Sequence, residues 1–312
     1  MRNKIEFVKL NKFDDLEFKN LFLAKLYENP AGSHKIYGVS EQVRRAQSLG
    51  YKKFVISSSG NGAIAASLIC QKKALELIVF VNPKNIEQEK LFEILKFKPR
   101  IILSSRPISL ASYLAKKHGY FNLTPSRDKE SQVGYKKIAF EIFEEMGKID
   151  ALFVPVSSGI TLKGIHQGFK ELEIAPNIFA CQTETCHEIS KEFDQDFQGK
   201  KTSIAKAICA KFVPGKDEII KIIKESGGSG FVISEEEIKK AWEILEKQDI
   251  KTSAEGALAL AGVRRGLVKG FGLQNKKIVV LLTGKKREEV KEGADLSEFP
   301  KVDFIKELEK IL

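Results

Sequence analysis

The sequence lacks any apolar run that approaches the roughly 18 residues a helix needs to span a membrane. Its first residues, Met1 to Glu6, also lack the apolar stretch of a secretory signal peptide. These two absences argue against a membrane-spanning or exported protein. We therefore expect a cytoplasmic protein with no membrane partner.

Cysteine is scarce, with four in 312 residues. Cys181 and Cys186 stand five positions apart, whereas structural zinc sites usually pair closer cysteines and then repeat the pair. The sequence has no second pair. We therefore expect no metal site, and we expect all four cysteines to be reduced, buried, small apolar residues.

Acidic residues are outnumbered, which leaves a net charge of +11 and a pI of about 9.3. Such a balance is compatible with nucleic acid or with an anionic substrate and cofactor. The lysines are dispersed and alternate with glutamates, as in residues 236–240, and no arginine-rich helix is evident. We expect solvated helix faces and no nucleic-acid partner. Nucleic-acid binding, suggested by charge alone, would show as salt-dependent affinity.

Short apolar runs alternate with amphipathic segments along most of the chain. Strands are predicted at residues 5–10, 20–27, 54–57, 76–81, 100–103, 120–123, 151–156, 177–181 and 277–282. Helices are predicted at residues 40–49, 62–72, 86–96, 107–118, 128–146, 204–208, 253–263 and 303–312, with two more after Ser158 and Ser234. Strands that alternate with helices of about 10 to 19 residues favour βαβ units and parallel sheets.

The predicted fold class is α/β, with two αβα domains, twisted and mostly parallel sheets, and a cleft between them. Residues 38–146 would form the smaller domain. Residues 1–37 and 147–312 would form the larger one. Because ligands of open α/β sheets bind at the carboxyl ends of the strands, we expect the functional residues there.

A single lysine, Lys35, follows a Pro-x-Gly-Ser turn within residues 28–35 and precedes the uncharged segment 36–39. Burial in a weakly polar pocket disfavours the charged form of lysine, and the neutral amine can form a Schiff base with an aldehyde. From this motif alone, a surface lysine beside a turn is the preferred interpretation.

Two further turns each join a predicted strand to a predicted helix. The first carries Ser58, Ser59, Gly60 and Asn61, and the second carries Ser157, Ser158, Gly159, Ile160 and Thr161. Backbone N–H groups and the helix dipole at such turns favour a carboxylate or a phosphate. Ordinary N-capping of the helices is the alternative for both turns.

Together with Thr283-Gly284, these motifs resemble the pyridoxal phosphate enzymes of the tryptophan synthase β-like group (fold type II). That group includes threonine synthase, cysteine synthase and serine/threonine dehydratase. Its pattern is Asn-Pro-x-Gly-Ser-x-Lys, then Ser-Ser-Gly-Asn, a Gly/Ser-rich phosphate loop and a late Ser-Gly or Thr-Gly. The resemblance runs in order from about residue 28 to residue 283.

The resemblance implies pyridoxal 5'-phosphate as the cofactor, bound by the larger domain. Lys35 would hold the aldehyde and carry the substrate's α-proton. The cofactor's other groups would contact Asn61 (phenolic oxygen), Thr283 (pyridine nitrogen) and the phosphate loop of Ser157, Ser158, Gly159, Ile160 and Thr161. The substrate carboxylate would lie on Ser58, Ser59, Gly60 and Asn61.

For the reaction, the resemblance implies β/γ-elimination or replacement on a small amino acid by a homodimeric lyase or transferase of amino-acid biosynthesis. Residues 201–205, 226–228 and 254–257 resemble threonine synthase. Cysteine synthase and serine/threonine dehydratase activities are the alternatives. The phosphate loop keeps only Gly159 of the family's glycines, and Ile36-Tyr37 replaces an Asp-Arg pair. These departures favour a further alternative, a non-catalytic relative that binds pyridoxal phosphate or another anion.

Overall fold

The structure, a computed structural model, describes residues 4–13, 15–124, 130–290 and 292–312. Its strands are β1 (Glu6–Lys9), β2 (Lys12–Phe13), β3 (Leu16–Glu17), β4 (Leu21–Lys25), β5 (Lys53–Ser57), β6 (Glu76–Val81), β7 (Arg100–Leu103), β8 (Phe121–Asn122), β9 (Ala151–Pro155), β10 (Asn177–Thr183), β11 (Ser229–Ile233) and β12 (Ile278–Leu282). Its helices are α1 (Lys35–Ser48), α2 (Asn61–Lys72), α3 (Gln88–Leu95), α4 (Pro107–Lys117), α5 (Glu130–Met146), α6 (Ile160–Glu171), α7 (Lys216–Glu225), α8 (Glu235–Lys247), α9 (Ala254–Val268) and α10 (Ile305–Glu309).

The chain divides into two compact units. The first consists of Met1–His34 and Tyr135–Lys286, and the second consists of Lys35–Gly134 and Arg287–Leu312. Each unit has its own sheet, and all but one of the strand pairs within these two sheets are parallel. The predicted α/β class with mostly parallel sheets is confirmed.

In the first unit, the described residues form a six-stranded sheet in the order β1-β4-β12-β9-β10-β11. Only the edge pair of β1 and β4 is antiparallel among these strands. Every residue of β12 is buried, which explains its continuous apolar sequence, since a central parallel strand is covered on both faces. The carboxyl ends of β4, β9, β10 and β12 consequently lie along one edge of this sheet.

In the second unit, the described strands form a parallel sheet in the order β7-β6-β5-β8. The C-terminal segment joins its edge, because Lys301 forms a parallel bridge with Leu103. Two backbone hydrogen bonds flank that bridge, from Leu103 N to Pro300 O and from Val302 N to Leu103 O. The bounds expected from sequence put residues 287–312 in the larger domain, whereas these contacts group them with the smaller sheet.

Residues 204–208 are not helical in the structure, so the helix predicted there is wrong. Carboxylates take the place of helical partners: Ile204 N donates to Glu235, and Ala207 N donates to Glu255 Oε1. Helix α7 and strand β11 were not predicted from the sequence. Strand β11 is short and directly follows a Gly-Gly pair, which is more typical of a turn than of a strand.

Three of the cysteines, Cys70, Cys181 and Cys186, are buried free thiols, as expected. Cys209 is exposed, so the expectation that all four are buried is wrong for this residue. Across the described ranges, none of the helices combines the length and the apolar character that crossing a bilayer requires.

Candidate functional site

The turn before Lys35 is held by the side chain of Asn29. Its Nδ2 group donates to the carbonyl oxygens of Leu26 (2.7 Å) and Ser33 (3.2 Å), and its Oδ1 atom accepts from Ala31 N (3.0 Å). All three polar positions of the amide thus shape the Pro-x-Gly-Ser turn. Asn29 is the asparagine of the Asn-Pro-x-Gly-Ser-x-Lys pattern, and the sequence alone assigns it no role.

Gly32 completes this turn with φ = +64°, a conformation that residues with a Cβ rarely adopt. A Cβ atom built there would lie 2.9 Å from Cδ of Lys285. The next residue, Ser33, forms an antiparallel bridge with Gly284, just beyond β12. The motif glycine is therefore needed for its backbone angle, whereas the Lys285 side chain beside it is flexible.

His34 connects this turn to the other predicted cofactor elements of the first unit. Its backbone N and its ring Nδ1 each lie 3.0 Å from the carbonyl oxygen of Thr283. Its Nε2 lies 3.3 Å from Oγ1 of Thr161, in the first turn of α6. Both threonines are buried, with 6% (Thr283) and 8% (Thr161) of their surface exposed.

The phosphate-loop candidate, residues 156–159, connects β9 to α6. Gly159 is the N-cap of α6 with φ = +78°, and a Cβ atom there would lie 2.1 Å from Cδ1 of Ile219. No described side chain caps this helix. Its first backbone N–H groups are therefore available to an anion, and the capped-turn alternative is not what the structure contains.

Ser157 has a partner that sequence reasoning did not anticipate. Its Oγ accepts hydrogen bonds from the backbone N–H groups of Cys209 and Ala210, both at 3.2 Å. A hydroxyl that accepts twice keeps its own hydrogen for donation. Ser157 can therefore act as a donor toward an anion while it anchors residues 209–210 beside the loop.

Two buried hydroxyls beside Gly284 have no hydrogen-bond partner within the described residues: Oγ of Ser33 and Oγ of Ser253. Ser33 bridges Gly284, and Ser253 donates its backbone N–H to the carbonyl of Gly284 at 2.7 Å. Buried polar atoms are normally satisfied, so orphaned ones indicate a polar ligand or water. With the uncapped α6 terminus, these donors fit a phosphorylated, polar aromatic group.

Lys35 is the first residue of α1 in the second unit, and it is half-buried. The helix predicted at residues 40–49 thus begins five residues earlier. The start of a helix carries the positive end of its dipole, which disfavours a cation and favours a neutral amine. Lys35 directly follows His34, whose backbone and ring contact the carbonyl oxygen of Thr283.

The second Gly/Ser turn follows β5 and opens α2. The Oγ atom of Ser58 accepts from Gly60 N at 3.3 Å, and Oγ of Ser59 donates to the carbonyl of Asn85 at 3.1 Å. Gly60 is the N-cap, and no described side chain caps the helix. The capping alternative therefore does not explain Ser58, Ser59 or Asn61, and the helix N-terminus remains available to a carboxylate.

Asn61 has a partner 226 positions away. Nη2 of Arg287 donates to Oδ1 of Asn61 at 3.1 Å, although only 6% of the Arg287 side chain is exposed. Arg287 is not among the site residues expected from the sequence. Arg287 follows the Thr283-Gly284 motif closely, which could have marked it as a site residue. Its neighbours in sequence, however, do not indicate a contact with Asn61.

The structure therefore places the predicted residues in two sets, each within one unit. Thr161, Thr283 and the loop at residues 157–159 lie along the carboxyl edge of the first sheet, and His34 contacts the two threonines. Ser58, Ser59, Gly60 and Asn61 lie at the start of α2, where β5 ends in the second unit.

The chain has recognisable relatives among known proteins. Residues 3–284 match the family described as "Pyridoxal-phosphate dependent enzyme". A curated relative, "L-threonine dehydratase catabolic TdcB" of Staphylococcus aureus (strain USA300), is 25% identical over 274 residues, which cover 85% of this chain and 78% of the relative.

Solved structures resemble the chain in fold. Maize serine racemase matches with a TM-score of 0.75 and 20% identity, covering 89% of this chain and 84% of its own. A pyridoxal 5'-phosphate-dependent aspartate racemase matches with a TM-score of 0.73 and 21% identity, covering 86% and 84%. O-ureido-L-serine synthase matches with a TM-score of 0.73 and 15% identity, covering 91% and 92%.

Proposed function

Since the chain belongs to the pyridoxal-phosphate dependent enzyme family, we propose that it eliminates the β-substituent of a small amino acid, with serine or threonine as the substrate. The observation that carries the proposal is the hydrogen-bonded group of His34, Thr161 and Thr283. Through these contacts, His34, the residue before Lys35, binds to the start of α6 and to the end of β12, the two elements that would hold the cofactor in the first unit.

Pyridoxal phosphate, when bound, supplies an aldehyde for an amine and a ring that draws electrons from the substrate's Cα. Lys35 would hold the aldehyde and then move the proton at Cα. The phosphate would accept from the first N–H groups of α6, the backbone N–H of Thr161 among them, and from the hydroxyl of Ser157. Asn61 would donate to the phenolic oxygen.

The Thr283 hydroxyl would face the pyridine nitrogen. A neutral hydroxyl does not force that nitrogen to be protonated, as a carboxylate partner would. The ring then withdraws electrons less strongly, which suits β-elimination better than transamination. Thr283 is held in place through its carbonyl oxygen, which accepts from both the backbone and the ring of His34.

The substrate carboxylate would lie at the start of α2, on the N–H groups that no side chain caps. Ser58 would donate its hydroxyl, because its oxygen already accepts from Gly60 N. A negative charge there gains from both the helix dipole and the donors. Binding the carboxylate orients the substrate so that its Cα proton can face Lys35.

Among the family's reactions, similarity to a curated threonine dehydratase supports the dehydratase alternative over the threonine synthase expectation. In a dehydration, the hydroxyl leaves from Cβ with a proton as water, and a second water hydrolyses the unsaturated amino acid that remains. Each turnover then yields one 2-oxo acid and one ammonium ion. No phosphate-bearing substrate is required.

Purified protein loaded with pyridoxal phosphate tests the proposal directly. L-serine and L-threonine should each yield a 2-oxo acid and ammonium in equal amounts, and Lys35→Ala should yield neither. Product from O-phosphohomoserine alone would point back to threonine synthase. A loaded protein that turns over none of these substrates would instead support a non-catalytic relative.

The homodimer implied by the family resemblance is a further proposal. Light scattering on the eluting protein would give a mass near twice 35.0 kDa if it is right.

A further inference from the structure

Arg287 is a buried cation in the second unit, with 6% of its side chain exposed. Its Nη2 donates to Asn61 Oδ1 at 3.1 Å, and its Nη1 lies 3.6 Å from Oε2 of Glu93. Burial lowers the pKa of Arg287, and the nearby carboxylates, Glu93 foremost, oppose that shift. A buried guanidinium is costly unless it is paired, so its position calls for an explanation.

The bond to Asn61 has a directional consequence. An asparagine amide has one accepting oxygen and one donating NH2 group on opposite sides of the same planar carbon. A guanidinium only donates, so it can bind only the oxygen. With Oδ1 turned toward Arg287, Nδ2 of Asn61 must point to the other side, and the amide cannot flip without losing a charged hydrogen bond.

We propose that Arg287 is a positioning residue, which fixes the Asn61 amide so that its NH2 group donates to the phenolic oxygen of the cofactor. This inference rests on the proposed function, in which Asn61 contacts that oxygen. Arg287 itself touches neither cofactor nor substrate in this account. Its charge strengthens the donor by polarising the amide, because hydrogen bonds in series reinforce one another.

Glu93 contacts both Arg287 and a second cation, Lys96. Its Oε2 faces Arg287, while its Oε1 accepts from Lys96 Nζ at 2.7 Å. The side chain of Lys96 is 62% exposed. Lys96→Met therefore removes a cation from the same carboxylate without removing the contact to Asn61, which makes it a matched control.

A double-mutant cycle on cofactor affinity tests the inference. Apo-protein is titrated with pyridoxal phosphate, followed by absorbance, for wild type, Arg287→Met, Asn61→Ala, the double variant and Lys96→Met. Arg287→Met and Asn61→Ala should each weaken binding about tenfold, the loss of one charged hydrogen bond. The double variant should match Asn61→Ala within about twofold, because Arg287 acts only through Asn61.

A spectroscopic readout separates positioning from general damage to the fold. The absorbance of the bound cofactor should titrate at a different pH in Arg287→Met and in Asn61→Ala, by the same amount, and should be unchanged in Lys96→Met. Should Arg287→Met fail to fold, Arg287→Lys replaces it in the same cycle, since it keeps the charge and loses the planar fork.

The outcomes are distinct. Independent, additive losses from Arg287 and Asn61, or equal affinity in Arg287→Met and wild type, would overturn the inference while leaving the proposed function intact. Wild-type protein that binds no pyridoxal phosphate would overturn the proposed function and this inference with it.

Discussion

Nδ1 of His34 lies 3.0 Å from the carbonyl oxygen of Thr283, which settles which ring nitrogen carries the hydrogen. A carbonyl only accepts, so Nδ1 donates. In the neutral ring Nε2 is then an acceptor, and Oγ1 of Thr161 at 3.3 Å supplies its hydrogen. The residue before Lys35 is thus locked to the end of β12 and to the first turn of α6.

Thr161→Val should loosen this lock, because valine keeps the shape of threonine and removes the hydroxyl donor. Leaving Nε2 of His34 without its donor should lower the free energy of unfolding by about 1–2 kcal/mol. Cofactor affinity should fall as well. Urea unfolding of apo-protein and titration with pyridoxal phosphate measure the two effects separately.

Thr202→Val is the matched control, since Thr202 is exposed and lies in the same unit. It should change the free energy of unfolding by less than about 0.5 kcal/mol. Equal, small effects of both substitutions would show that the hydrogen bond to His34 contributes nothing.

Gly159→Ala should be strongly destabilising, for two separable reasons. Its positive φ of +78° costs an alanine about 1–2 kcal/mol. In addition, the new Cβ would meet Ile219, which should cost about 1–3 kcal/mol more. Thermal or urea unfolding measures the sum, and affinity for inorganic phosphate or pyridoxal phosphate should fall in parallel.

Gly215→Ala isolates the first of these costs. Gly215 is also a helix N-cap, with φ = +72°, but the nearest atom to its new Cβ would be Oε2 of Glu218 at 3.7 Å. The expected loss is about 1–2 kcal/mol. A loss as large as that of Gly159→Ala would contradict the packing argument for the phosphate loop.

Arg265→Met should destabilise the first unit, because it removes a cation that is paired with the buried carboxylate of Asp194. Asp194 is 2% exposed, and its Oδ2 lies 3.1 Å from Nε of Arg265. Burial alone would raise the pKa of Asp194, but the hydrogen bond and charge of Arg265 outweigh it and lower that pKa. Because Nζ of Lys269 remains 3.3 Å from Oδ1 of Asp194, removing Arg265 should lower the free energy of unfolding at pH 7 by about 1.5–3 kcal/mol, the contribution of a charged hydrogen bond.

The pH dependence of this loss follows from the lowered pKa. A carboxyl whose folded pKa is depressed stabilises above its unfolded pKa of about 3.9, and that stability is lost as the pH falls through the folded value. The difference between wild type and Arg265→Met should therefore shrink from pH 7 to pH 3. Lys221→Met, at an exposed pair with Glu225, should change little at either pH.

Much of the fold follows from local sequence patterns. The strands predicted at residues 76–81 and 100–103 have the same bounds as β6 and β7, because buried parallel strands are continuous apolar runs between breakers. Helix starts were harder to place. Helix α1 begins at Lys35 rather than at residue 40, directly after His34, whose ring contacts Thr283 far along the chain.

The site motifs are local in sequence, but the contacts that organise them are not. The Asn29 turn and the glycine at 159 belong to short motifs that a reader of the sequence can find. The contacts of His34 with Thr283 and of Arg287 with Asn61 span 249 and 226 positions. No periodicity encodes such pairs, because they join chain segments that are far apart in sequence and meet only in the folded protein.

Borohydride reduction tests the central claim, that Lys35 holds pyridoxal phosphate, most directly. The loaded protein is reduced, digested and examined by mass spectrometry, with Lys35→Arg as the matched variant. We expect one pyridoxyl group on the peptide that carries Lys35, and none in the variant. An adduct on another lysine, such as Lys285 beside Gly32, or no adduct on wild-type protein, would contradict the account.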